Sequence, residues 1–238
     1  MSATWIIAKR ELNANFDSLI AYIILVLFLG FTGYFTWFGG SDIFYRKQAD
    51  LAVFFAVAKW TLFFFIPAIT MRQFAEERRT GTIELLLTKN VTERQVVLGK
   101  FLASFLIVAI ALAFTLPFYI TVSMLGNVDH GATLMGYLGL LLMSAAYISI
   151  GLFASSLTNN QIVAFMLALF IGIFFHFLFD MMAAGTTGWL ASTLQMLSVS
   201  AHFDSIARGV VDSKDLVFFL SLVALGLLGA EYNLIKKR

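Results

Sequence analysis

The chain has 238 residues, of which 60% are apolar and only 13% charged, with 26 phenylalanines, no cysteine and a net charge of +2. Charged residues make up about 25% of an ordinary soluble domain, so this composition excludes a water-soluble fold and makes a bilayer the expected solvent. The absence of cysteine excludes disulfides, thiolate metal sites and cysteine nucleophiles, and leaves the redox compartment open.

The first eighteen residues are too polar to form the apolar core of a cleavable signal peptide. Within them, "TWIIAKRELNANF" sets Trp5, Ile6, Leu12 and Phe16 near one helical face and Lys9, Arg10 and Glu11 near the other. That pattern suits a helix lying along the inner leaflet, anchored by Trp5, or the cytoplasmic end of the first span. Six apolar segments then reach the length of about 20 residues that a crossing helix needs. They run Leu19–Phe38, Val53–Met71, Phe101–Leu125, Leu134–Ala154, Ile162–Met182 and Leu216–Tyr232. The expected fold is all-α: one transmembrane domain over residues 1–238 with six spans.

Orientation follows from lysine and arginine. With both termini inside, the inner segments hold Lys9, Arg10, Arg72, Arg78, Arg79, Lys89, Arg94, Lys100, Lys236, Lys237 and Arg238, and the outer ones Arg46, Lys47, Lys59, Arg208 and Lys214. This asymmetry predicts cytoplasmic termini in a multi-pass membrane protein.

Between spans one and two, "GGSDIFYRKQAD" carries no recognisable site. Lys59 and Trp60 follow inside the second span and read as anchors at the outer interface, with a substrate-contacting lysine as the alternative. After that span, "FAEERRTGTIELLLTKN" carries the helix out of the membrane. Gly81 permits a turn, and Thr82 can cap a short new helix with Glu84 in its first turn. Ile83, Leu86 and Leu87 then give that helix an apolar face that must be covered by lipid headgroups, by the protein itself or by a partner. Thr92 with Gln95 is a capping box that starts the third helix about two turns before the membrane, and Pro117 predicts a kink within it. Thr158 with Gln161 repeats the box ahead of span five.

The fifth span, "FIGIFFHFLFD", contains Phe170, Phe174, His176, Phe177 and Asp180, candidates for lining a pathway or gate; the same aromatics also suit a face turned to lipid. His176 and Asp180 share a helical face. They could bind a cation or relay protons, but no third ligand is evident, so a polar pair at the helix end is the expected reading. Two short amphipathic helices follow, "WLASTLQMLSV" and "AHFDSIARGVV", with Gly209 placed to end the second. The sixth span is the weakest, because Asp215 and Glu231 leave it barely long enough to cross.

His130, His176 and His202 do not cluster, no metal site is expected, and no G-x-x-x-x-G-K-[ST], G-x-S-x-G or H-E-x-x-H sequence occurs. The bilayer centre lacks a polar constellation, which argues against an intramembrane enzyme, an ion-coupled carrier or a channel. No nucleic-acid partner is indicated.

"MRQFAEERRTGTIELLLTKNVTERQVVLGKFLA" closely resembles the region after the second span of ABC type-2 permeases. "FIPAITMR", "AAYISIGLFASSLTNNQIVAF" and "HFDSIARGVVDSKDLVFF" resemble most of all the gliding-motility permeases of the GldF type and their NosY-like relatives. The resemblance covers nearly the whole chain, and G-T-x-E followed by the leucine run is its most specific part. It implies a permease subunit without its own nucleotide site, exporting a substrate while a separate ABC ATPase binds ATP and Mg. By the same resemblance Glu76, Glu77, Gly81, Thr82, Glu84, Leu85, Leu86 and Leu87 form or support the contact with that ATPase. It also implies a second permease copy or a related membrane subunit, the latter with a large extracytoplasmic domain as in GldF-type systems. It places spans two and five along the pathway and the helices of 189–211 over its outer mouth. Where relatives often have proline after the threonine-lysine pair, this chain has Asn90. A complex that transmits mechanical change without moving a solute is the alternative function.

Overall fold

The computed structural model describes residues 2–40, 43–82 and 91–236. In a bilayer no water satisfies backbone N–H and C=O groups, so long apolar runs must satisfy them internally as helices. Among the described residues there are helices and turns but no strand. The helices are α1 (Ala3–Asp17), α2 (Leu19–Trp37), a short α3 (Ile43–Arg46), α4 (Ala52–Thr70), α5 (Arg72–Arg79), α6 (Glu93–Ala113), α7 (Leu116–Leu125) and α8 (His130–Leu157). They continue with α9 (Gln161–Ile173), a π-helical turn (Phe174–Leu178), α10 (Phe179–Ala184), α11 (Trp189–Gln195), α12 (Val199–Ile206) and α13 (Ser213–Lys236). Five stretches are long and apolar enough to cross a membrane: Ala52–Arg79, Glu93–Leu125, His130–Leu157, Gln161–Ala184 and Ser213–Lys236. A sixth qualifies when α1 and α2 are taken together across a 74° bend. The chain is a multi-pass membrane protein, and each of the six expected spans overlaps one of these stretches.

Several local expectations hold. Thr92 Oγ1 accepts from the Gln95 amide at 3.3 Å and Gln95 Oε1 from the Thr92 amide at 3.1 Å, a complete capping box. The third span breaks at Phe114–Thr115, and Pro117 sits in the first turn of α7, where its missing N–H costs no hydrogen bond. Others need correction. Asn160, not Thr158, caps α9: its Oδ1 accepts from the Ile162 amide at 2.9 Å. The helix begins at Gln161 itself, so Gln161 is too early to complete a box with Thr158. The last helix is not short; its 24 residues span about 36 Å, because Ser213, Lys214 and the turns around Asp215 and Glu231 are all helical. In α1, Ile7 and Ala8 pack onto the bundle, and Trp5 and Ile6 lie on its outside, where a face turned to the leaflet belongs. Ile7 rests on Gly99 of α6, where a Cβ would come within 2.7 Å of it, and Glu11 is drawn inward by a lysine described below.

Helix α8 is the hub, packing against α4, α5, α6, α9, α12 and α13. Lipid gives helices no hydrophobic reason to associate, so small residues that permit close approach decide where they touch. Gly151 of α8 lies against the Thr70 side chain of α4, and Gly226 of α13 lies over Ser149. The Ser149 hydroxyl donates to the Leu222 carbonyl at 3.2 Å, joining α8 to α13 by a polar bond as well.

Ser155, one turn beyond Gly151, braces the joint between α4 and α5. Its hydroxyl accepts from the amides of Phe74 and Ala75 at 3.0 and 3.1 Å and donates to the Met71 carbonyl at 2.9 Å. The next residue, Ser156, accepts from Asn233 near the end of α13 at 3.3 Å. The end of α13, the start of α6 and α5 therefore share one end of the bundle. At the opposite end, α12 is capped by Ser198, which accepts from the Ala201 amide at 3.1 Å, and packs Phe203 and Ile206 over Gly139 of α8. Gly209 follows α12 with φ +92°, the left-handed turn expected of it.

Candidate functional site

The first candidate region is the α5 end. Arg72 and Glu76, one turn apart on α5, pair through two contacts of 2.8 and 3.2 Å. Glu77 faces the other way. Its Oε1 accepts from Lys100 Nζ at 2.8 Å, and Glu11 of α1 lies 3.2 Å from the same ammonium. Arg10 approaches both carboxylates. Lys100 is 1% exposed and lies 5.4 Å from the Phe74 ring centre. The sequence marked Lys100 only as one of the inner positive charges; its apolar neighbours in "VVLGKFLA" were the one signal of burial. Glu77 is thus turned into the protein, where it supports α5. The polar cleft beside this cluster, about 280 Å³, runs from Glu11 and Asn15 to Thr80 and Thr82. Gly81 takes φ +70°, and Thr82 Oγ1 donates to the Glu77 carbonyl at 3.4 Å. Glu84, Leu85, Leu86 and Leu87 lie outside the described residues.

Glu11 stands on α1, ahead of the span proper. Burial pushes its carboxyl up, but Lys100 and Arg10 more than offset this and hold it below its ordinary 4.5. A depressed value in the folded state means stability that is complete above about pH 4.5 and lost as pH falls through the folded value. Thermal unfolding in detergent should show the gap between wild type and Glu11→Gln closing as the pH drops from 6 towards 3.5. A gap that stays constant would mean Glu11 is not held ionised by the cluster.

The second region lies at the opposite end and joins residues that the sequence treated as separate. Lys59 and Trp60 of α4 share a pocket of about 440 Å³ with His176, Phe177 and Asp180 of the fifth span; Ser200 completes its polar wall. Lys59 is no solitary anchor: its ammonium lies 3.0 Å from Ser200 Oγ and 3.0 Å from Asp204 Oδ1, and 5.3 Å from the Phe203 ring centre. A buried amine needs such partners, and α12 brings them. Nor does His176 pair with Asp180 or cap the helix against water. The π-turn Phe174–Leu178 carries it inward, where its Nδ1 meets the Tyr147 hydroxyl at 2.6 Å. Its ring stacks on Phe63 and takes the edge of Trp60, both with centres 5.0 Å apart. Phe170 and Phe174 stand outside the pocket, 58% and 49% exposed. Among the described residues, no group of three histidine or acidic side chains is placed to hold a metal.

Sequence reading also missed a pair between α12 and α13. His202 Nδ1 lies 2.6 Å from the fully buried Asp215, and its Nε2 lies 3.0 Å from the Met196 carbonyl. The Phe218 ring stacks on His202 at 4.1 Å. The two residues fall on different elements, and no local pattern links them.

A family model described as "ABC-2 family transporter protein" matches residues 5–199, from α1 into α12. A search of curated proteins finds no match to the chain.

Proposed function

Because this chain belongs to the ABC-2 transporter family, we propose that it is the membrane subunit through which a separate ATPase drives export across a bacterial inner membrane. The α5 end then faces the cytoplasm, as the excess of lysine and arginine there supports. The segment from Phe74 to Asn90 is the contact with the ATPase, with Gly81, Thr82, Glu84 and Leu85–Leu87 at its centre and Glu76 and Glu77 supporting it. The ATPase, not this chain, binds ATP and Mg.

The observation that carries this reading is mechanical continuity. Helix α4 passes through the Ser155-braced joint into α5, and α5 is tied by Glu77 and Lys100 to α6 and α1. A push at the turn after α5 is delivered to several membrane helices at once, which a flexible loop at the leaflet would not do. The exposed apolar face of α9 (Ile162, Val163, Met166, Phe170) suits lipid and equally a second permease copy or a related membrane subunit, which the family resemblance implies. The resemblance of the segments quoted above supports a gliding-motility or secretion-type system.

Gly81→Pro removes the left-handed turn, and Glu84→Arg reverses the charge in the contact segment. Each should lower stimulation of the cognate ATPase at least ten-fold, about 1.4 kcal/mol of coupling, and reduce co-purification with it. Wild-type stimulation in both variants would refute the assignment of this segment.

A further inference from the structure

We propose that the Lys59 pocket and the groove beyond Trp60 together hold one membrane amphiphile with a zwitterionic phosphate–ammonium head and an acyl chain. The head lies between Lys59 and Asp180, and the chain lies between α2 and α4.

The polar half is built for opposite charges. An ammonium has three protons to donate; Lys59 spends two on Ser200 and Asp204 and keeps a third for a ligand in the pocket it borders. That suits a phosphate oxygen. Asp180, on the same pocket wall, makes no hydrogen bond or ion pair among the described residues. Beside it the Trp60 and Phe177 rings meet with centres 5.6 Å apart, giving an ammonium aromatic faces as well as a carboxylate. A purely anionic head would leave Asp180 facing like charge, and a purely cationic one would face Lys59.

The apolar half fixes the rest of the ligand. Trp60 is also a wall of a second cavity of about 480 Å³, lined by Phe31 and Phe35 of α2 and by Val57, Thr61, Phe64 and Phe65 of α4. This groove follows α4 from Ala56, on the N-terminal side of Trp60, to Phe65, and about 7.5 Å of it runs on from Trp60 towards Phe65. Its lining offers no charged group, so a small water-soluble zwitterion would leave it without an occupant. The first part of an acyl chain continuing past Trp60 fills that inner stretch. With the orientation proposed above, the head sits at the outer leaflet and the chain points towards the bilayer centre, as a lipid does.

The test uses the full chain purified in a maltoside detergent, so it needs no ATPase and is independent of the coupling assignment. Thermal unfolding is followed with lysophosphatidylethanolamine, with lysophosphatidylglycerol and with free phosphoethanolamine. The zwitterionic lysolipid near saturation should raise Tm by about 5 °C, the anionic one by less than half as much, and the free head group not at all. Asp180→Asn, which removes a carboxylate without a protein partner, should abolish the preference between the two lysolipids. Asp204→Asn, which leaves the Lys59 charge in place, should preserve it. Equal shifts with both lysolipids in wild type, an unaltered preference in Asp180→Asn, or a full shift with phosphoethanolamine alone would each overturn the proposal.

Discussion

Replacing Lys100 by methionine should cost this protein more than any other single change at its α5 end. Lys100 is the buried cation that Glu11 and Glu77 share, at 3.2 and 2.8 Å, and the two carboxylates are only 14% and 19% exposed. One oxygen of Glu77 already lacks a partner. Removing the ammonium leaves Glu11 to Arg10 and Glu77 with only the longer Arg10 contact of 3.6 Å, and breaking a buried ion pair from one side typically costs about 3–5 kcal/mol. The loss would be read as a large fall in Tm in detergent, accompanied by weaker stimulation of the ATPase. Adding Glu77→Gln to Lys100→Met should recover part of the stability, since one stranded charge disappears. It should not recover stimulation, since α5 remains untied from α6. Recovery of both together would show that the ion pairs only stabilise the fold and carry no motion.

The second large effect is expected at Gly151. A Cβ on this residue would collide with Thr70 Oγ1 and come within 2.8 Å of Thr70 Cβ. Thr70 cannot turn aside cheaply, because it is fully buried and its hydroxyl bonds the Ile66 carbonyl at 2.9 Å. Gly151→Ala therefore has to push α4 away from α8, one turn from the Ser155 brace. Overpacking of this kind costs about 1–3 kcal/mol. Because it also loosens the joint to α5, coupling should fall with it. The double variant Gly151→Ala/Thr70→Gly removes the hydroxyl, the methyl and the Cβ that lies 2.8 Å from the new methyl, and should regain part of the Tm. Failure of the second substitution to rescue the first would mean that the α4–α8 approach is not what Gly151 protects.

Much of the architecture could be read along the chain because membrane helices announce themselves by composition. Runs such as Ile162–Met182 are apolar for their whole length, and the Thr92 and Pro117 signals act within a single turn. What escaped depends on which helices meet. Nothing local says that Lys59 will find Asp204, since the partner arrives on α12, 145 positions later. Lys100 was hidden for the same reason: its two acids come from α1 and α5. His176 and Asp180 do border one pocket, as their spacing suggested, but the partner of His176 is Tyr147, which comes from α8. The part of α1 that packs on the bundle was not legible, because the flat place at Gly99 and the pull on Glu11 set its rotation. The proposed contact segment was legible as far as Gly81, whose left-handed turn is as expected; Thr82 bonds back to Glu77, and Glu84 and the leucines lie beyond the described residues.

The wide turn in the fifth span has a mechanical meaning. A π-turn holds one residue more than the α-helix on either side of it needs, and such an excess behaves like a dislocation in a lattice: it can glide along the rod without breaking it. Each step of that glide swings the side chains it passes by about 100° around the axis. A glide that passes His176 would unlatch it from Tyr147, while Ile162 at the other extremity stays where it is. The helix thus carries its own bearing, letting one half twist while the other remains clamped to its neighbours.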